Sequence, residues 1–272
     1  MNIQNAYATL TQLQAYLPNS TNITESMAIY ALNAASREID RNTGRLFYPE
    51  VKTNYYNTPS RAELWLFDDL LEVLTLTNGD GTVMTATTDY LTVPYNAYPK
   101  YKIVLNPETS TYFETSDTTD YMKAIQVNGI FGYHRNYSLA WFTGTTLGAA
   151  IADTTGTSMT LTAGTNFEEG QIIKVDSEIM LITDKPAATT LTVIRGWNGS
   201  TAAVHDDAST VYIWQPEPDI TMSCLIQASR LYNRQNAIFG TIGGGEMGAT
   251  PITLTKLDPD VQRIIEQFRS SF

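Results

Sequence analysis

Val204-His205-Asp206-Asp207 places one imidazole beside two carboxylates, the ligand types that hold zinc or another divalent metal. Neighbouring residues rarely aim at one ion, and the other histidine, His134, lies in a different segment, so this stretch reads as a solvated loop. Gly243-Gly244-Gly245-Glu246-Met247-Gly248 satisfies the G-x-G-x-x-G spacing that lets backbone amides approach a pyrophosphate. That chemistry needs a strand before the glycines and a helix directly after them. Here a helical pattern precedes and Ala249-Thr250-Pro251 follows, so Gly243, Gly244, Gly245 and Gly248 read as a flexible tether. No G-x-S-x-G elbow and no H-E-x-x-H motif occurs, and two histidines with one cysteine leave few nucleophile–base pairs. Cys224 sits on a helical stripe and reads as a small core residue; as the single cysteine it excludes an intramolecular disulfide. Tyr55, Tyr56, Trp65, Tyr95, Tyr98 and Tyr101 could stack bases or sugars, but no basic stripe accompanies them. Core and subunit-interface packing is the reading they favour. An enzyme is not expected, nor a cofactor or a metal.

The charge balance points the same way. Twenty-eight acidic residues against 17 basic ones give a net charge of −11, which opposes a firm grip on a nucleic-acid backbone. It does not exclude a protein through which nucleic acid slides, because like charge prevents sticking. The N-terminus lacks the basic start and apolar run of a secretory signal, and no apolar stretch approaches the roughly 20 residues a membrane span needs. A soluble chain made in a reducing cytoplasm, with no membrane partner, is expected.

The elements that must position these residues follow from periodicity. Thr9 and Gln12 form a capping-box pattern ahead of Leu10, Leu13 and Leu17, a short helix stopped by Pro18. A stronger helix runs from about Thr24 to Thr43, with Ala28, Ala31, Leu32, Ala35 and Ile39 on its inner face and Gly44 as its stop. Short β-rich runs follow at Val51–Tyr56, Glu63–Phe67, Glu72–Leu76, Tyr90–Val93, Lys102–Leu105 and Ala124–Phe131. A second group lies at Ser158–Thr162, Gln171–Val175, Glu178–Thr183, Leu191–Arg195 and Thr210–Trp214, with reversals at Asp176-Ser177 and Asn198-Gly199. Helical texture returns at Asp219 as N-cap, with Ile220, Cys224, Ala228 and Leu231 as a stripe up to about Phe239.

These patterns predict an α+β fold: a helical core packed with a short-stranded β region, an inserted small all-β barrel or sandwich, and a C-terminal amphipathic helix. The expected division is a body of residues 1–142 and 215–241, an inserted β-module 143–214, a tether 242–256 and a docking helix 257–272. In that last helix Leu257, Val261, Ile264, Ile265, Phe268 and Phe272 recur at helical spacing behind Asp258 and Pro259. Burying six such side chains yields on the order of 10 kcal/mol gross, and ordering the segment costs about as much. Docking of a lone helix is therefore marginal, while pre-assembly would raise its effective concentration at a partner; the resemblance given below tips the expectation toward a partner over folding back onto the body.

The order of these elements, with their residues, resembles the head–tail connector (adaptor) family of tailed bacteriophages. Ala34-Ala35-Ser36-Arg37-Glu38-Ile39-Asp40-Arg41-Asn42-Thr43-Gly44-Arg45-Leu46-Phe47-Tyr48 is similar to the family's helix ending in Ile-Asp-x-x-Thr-Gly-Arg-x-Phe. Val127-Asn128-Gly129-Ile130-Phe131-Gly132-Tyr133 resembles the strand and Gly-Tyr turn before the family's last core helix. Ala228-Ser229-Arg230-Leu231-Tyr232-Asn233-Arg234 resembles that helix itself. The likeness covers roughly Thr9–His134 and Pro216–Phe272, and departs from the compact form of the family at the inserted segment. It implies a virion protein of the phage neck: a ring of copies, expected to be twelve-fold, below the portal protein. The ring would continue the DNA channel without specific binding and present a face to a stopper or tail protein. The inserted module would face capsid or tail, and the C-terminal helix would engage the portal. The competing readings are a tail-completion or stopper protein, and an adhesion or carbohydrate-binding β-protein working through Thr143–Trp214.

Overall fold

The computed structural model describes residues 2–17, 23–116, 120–234 and 257–270. Helix α1 (Leu10–Tyr16) begins with the reciprocal cap its sequence predicts. The Thr9 hydroxyl accepts from the Gln12 amide, and the Gln12 side chain accepts from the Thr9 amide. Helix α2 (Glu25–Thr43) stops at Gly44, whose left-handed backbone (φ 69°) lets its N–H donate to the Asp40 carbonyl at 2.8 Å.

The first sheet follows: β1 (Glu50–Tyr56), β2 (Glu63–Thr77), β3 (Val83–Met84), β4 (Tyr90–Val93), β5 (Lys100–Leu105) and β6 (Ile125–Phe131). It is antiparallel in the order β1-β6-β2-β5-β4, with β3 beside the end of β2. A short α3 (Tyr137–Ala140) leads into the second sheet: β7 (Trp141–Thr146), β8 (Ser158–Thr160), β9 (Ile172–Val175), β10 (Glu178–Ala187), β11 (Thr190–Ile194) and β12 (Thr210–Trp214). Its order is β7-β12-β9-β10-β11-β8, also antiparallel. The chain then returns through α4 (Pro218–Asn233) and ends its described part in α5 (Pro259–Glu266). Helix α4 is capped by Glu217, one residue ahead of Pro218, and not by Asp219.

The expected α+β fold with a helical core is overturned. The molecule is mostly β: two antiparallel six-stranded sheets, with five helices among the described residues. The strands are longer than their turn signals suggest. β2 is one 15-residue strand, where alternation had split it at Asp68-Asp69. A register shift against β5 between Trp65 and Leu70 absorbs the break, and Lys52 and Arg45 neutralise the two acids at 3.1 and 2.6 Å. Strand β7 escaped notice because Trp141–Thr146 is polar and contains glycine; it is nonetheless paired along its length with β12.

The centre of the second sheet, where β9 meets β10, is buried on both faces. Four consecutive side chains, Ile179 to Ile182, are fully covered, which is why this run shows no alternation. Met180 and Ile182 enter the sheet's own core with Ile173, Val175 and Val211. Ile179 and Leu181 face the other way and pack with Ile172 against Leu71 and Ile130 of the first sheet. Asp176, at φ 51°, turns the β9–β10 hairpin. Asn198-Gly199 does not turn a hairpin, because β11 and β12 are not neighbours. It forms a 3-10 turn laid on β1, where a Cβ on Gly199 would sit 2.1 Å from the Val51 carbonyl. No described helix is long and apolar enough to cross a membrane.

Candidate functional site

Phe47 lies in the helical core that also holds Ala228 and Tyr232 and against which Tyr133 packs. Its ring is fully buried and lies edge-on to Tyr7, Tyr133 and Phe268, at 5.6, 5.5 and 5.6 Å between centroids. The Phe47 amide donates to the Tyr7 hydroxyl at 3.0 Å, and the Tyr133 amide donates to the Leu46 carbonyl at 2.7 Å. Gly132 makes this approach possible: its φ is +143°, and a Cβ there would lie 2.4 Å from the Tyr48 carbonyl oxygen. Arg45 pairs with Asp69 at 2.6 Å while its guanidinium sits 4.5 Å from the Tyr133 ring centre.

Helix α4 closes the same core from the opposite side. Ala28, Ala31, Leu32, Ala35 and Ile39 of α2 are buried with Cys224 and Ala228 of α4, and Leu231 is half-buried against them. Ser36 Oγ lies 3.3 Å from Cys224 Sγ, and Gln227 donates to Glu38 at 2.7 Å. Burial pushes the Cys224 thiol up to about 11, so it is a packed, unreactive side chain.

The C-terminal stripe lies in this core as well. Leu257, Val261, Ile265 and Phe268 are buried and Ile264 is half-buried, all packed on the chain's own α2–α4 cluster. Phe268 sits among Phe47, Tyr133 at 5.7 Å and the Arg135 guanidinium at 4.3 Å. The Ser270 amide donates to the Thr43 carbonyl at 2.8 Å. The expected docking of this face onto a portal is therefore corrected: folding back has used the face. The earlier balance weighed only the helix's own stripe, and missed an aromatic box that Phe47, Tyr133 and Arg135 assemble from distant positions. Phe272 and the tether glycines Gly243, Gly244, Gly245 and Gly248 lie outside the described residues.

In the Val204-His205-Asp206-Asp207 loop, Val204, Asp206 and Asp207 are exposed as expected, but the imidazole is not. His205 is buried, with Nδ1 at 2.7 Å from Asp176 and Nε2 at 2.9 Å from Glu178. Glu178, fully buried, takes two guanidinium nitrogens of Arg195 at 2.8 Å each and the amides of Gly196 and Ala203 at 2.9 Å. Burial acts to raise its carboxyl, but Arg195, the Ala203 amide, His205 and the Gly196 amide outweigh it and hold it at about 2. The carboxylate's lone pairs are spent on fixed donors, so the cluster is a structural clasp. Among the described residues no group of three His, Cys, Asp or Glu side chains could hold a metal ion. Sequence reading missed the clasp because Glu178 and Arg195 are remote from His205 in the chain. Its only signal was a strand-opening glutamate beside an otherwise apolar run.

The aromatic residues divide between core and surface. Tyr56 is buried and stacks on Phe67, and Tyr98 packs on Tyr137 at 5.7 Å. Tyr55 and Tyr95 are exposed. Trp65, 54% exposed, stacks on Tyr101 at 5.8 Å with the Lys102 ammonium 4.9 Å from its centre. Phe67, 74% exposed at the next outward position of β2, extends this patch and was not singled out from sequence. Comparison of the chain with protein-family models and with curated proteins gives no match.

Proposed function

We propose that this chain is a structural subunit of a phage neck, an adaptor ring that prolongs the DNA channel and receives a stopper or tail component. The observation that carries the reading is that one core gathers all three stretches. The Arg45–Tyr48 stretch, the Gly132-Tyr133 turn and the Ala228–Tyr232 helix face resemble the connector family separately, and they pack as one unit. Residues that resemble a family in scattered pieces carry more weight when their contacts explain one another.

Two further features agree with a ring subunit. The net charge of −11 suits a channel lining that repels the DNA backbone. The outward Trp65–Phe67 face of β2 offers an apolar surface for a neighbouring copy. With α5 seated in its own core, attachment falls to surface features of this kind and not to the C-terminal stripe. The test is native mass spectrometry with negative-stain microscopy on the purified full chain. Closed annuli, twelve copies in the expected case, agree with the proposal. Trimers or fibres would turn the assignment toward an adhesin.

A further inference from the structure

Between β2, β4 and the loop 94–99 lies a recess of about 390 Å³ that none of the foregoing uses. That volume falls within the range of small-molecule sites. Its wall includes Leu71, Leu91, Tyr90 and Tyr98, its rim the exposed Tyr95, and its polar end Lys100. Lys100 is 6% exposed. Its ammonium donates to the Pro94 carbonyl at 2.6 Å and the Tyr95 carbonyl at 3.2 Å, and lies 4.3 Å from the centre of the Tyr98 ring. These partners are dipoles and a π-face. Among the described residues none is a carboxylate within ion-pair distance, unlike Lys52 and Lys102, which both pair with acids. The nearest acid of the recess, Glu72, is engaged elsewhere: it accepts from the Tyr137 hydroxyl at 2.8 Å and faces Lys174 of the second sheet.

A covered ammonium without a counter-charge is costly, and a purely architectural tie between two carbonyls does not need one. Burial accordingly lowers the Lys100 pKa. Two of its three N–H donors are spent on the carbonyls, which leaves the third no acceptor but the Tyr98 π-face, at the edge of an apolar, tyrosine-lined recess. We propose that this recess is a binding site for a carboxylate carried on an apolar or aromatic body, with Lys100 as its counter-ion and Tyr98 and Tyr90 as its walls. The carboxylate can come from a small organic acid or from an acidic side chain of a second copy of this chain, which holds 28 such residues.

The experiment uses the full chain, phenylacetate and its neutral analogue phenylacetamide, followed by calorimetric titration, with sedimentation velocity on the same samples. Lys100→Arg keeps the charge; Lys100→Gln keeps donors for the carbonyls and removes it. Melting curves establish that each variant is folded. For a free organic acid, phenylacetate saturates at least tenfold more tightly than phenylacetamide, and Lys100→Gln abolishes the difference. For a neighbour's side chain, phenylacetate fails to bind but self-association of the wild type is lost in Lys100→Gln and kept in Lys100→Arg. Equal binding of acid and amide, or neither binding nor a charge-dependent change in association, overturns the site. The acid–amide comparison on the wild type decides the small-molecule case even if both variants unfold.

Discussion

Two buried carboxylates are set against each other by their surroundings. Glu178 is held at about 2 against an ordinary 4.5, so the folded state prefers it charged. Its stabilising contribution is complete above 4.5 and is lost as pH falls toward 2. Asp40 has the opposite sign. Burial raises it from 3.8 to about 6, although Arg37 at 3.0 Å, the Tyr7 hydroxyl and Arg41 all pull it down. The folded chain therefore binds this proton more tightly than the unfolded one, and stability falls as pH rises from 3.8 to 6. Urea midpoints of the wild type should drop across that interval, by about 2–3 kcal/mol in stability from Asp40. Asp40→Asn should flatten the drop; a variant with the wild-type slope would refute the assignment. Glu178→Gln leaves Arg195 buried without its counter-charge and should cost about 3–5 kcal/mol in a denaturant titration at pH 7. A loss below about 1 kcal/mol would mean that the clasp is not formed in solution.

At the scale of elements, α5 belongs to the helical cluster, and its removal should be felt as lost stability. Phe268→Ala empties the box formed by Phe47, Tyr133 and Arg135, and should cost about 3–5 kcal/mol by chemical denaturation of the isolated chain. An unchanged midpoint would show the helix to be undocked in solution. Much of this level was legible beforehand. The α1 capping box, the Gly44 stop and the spans of β4 and β12 follow from local signals, because caps and turns depend on residues a few positions apart. The balance between helix and sheet was not legible. The fully covered run Ile179–Ile182 shows no period of two, and β2 passes through two acids that only Arg45 and Lys52 make tolerable. The destination of α5 was hidden for a similar reason: its stripe states that something must cover it, and the covering residues are contributed by α2, α4, the turn after β6 and the Phe47 segment. The clasp around Glu178 likewise depends on partners brought together only by sheet pairing.

For the whole molecule, the two sheets share a seam in which Leu71 and Ile130 meet Ile172, Ile179, Leu181 and Trp214. The indole of Trp214 donates to the Phe47 carbonyl at 3.0 Å, which ties that seam to the aromatic junction. A body braced in this way presents its surfaces in fixed relation, as the proposed ring would require. The outward aromatics of β2 are the surface most directly open to test. Replacing Trp65 and Phe67 together by Glu should leave the melting temperature within a few degrees of wild type, while reducing self-association at least tenfold in sedimentation velocity. Equal association would remove this patch from the interface. The central claim concerns place, and place can be seen. Electron microscopy of the assemblies that a tagged full-length chain carries down from the cells producing it should show an annulus with an open channel between a head and a tail. Recovery of the chain at a fibre tip, or in particles without such a ring, would contradict the account.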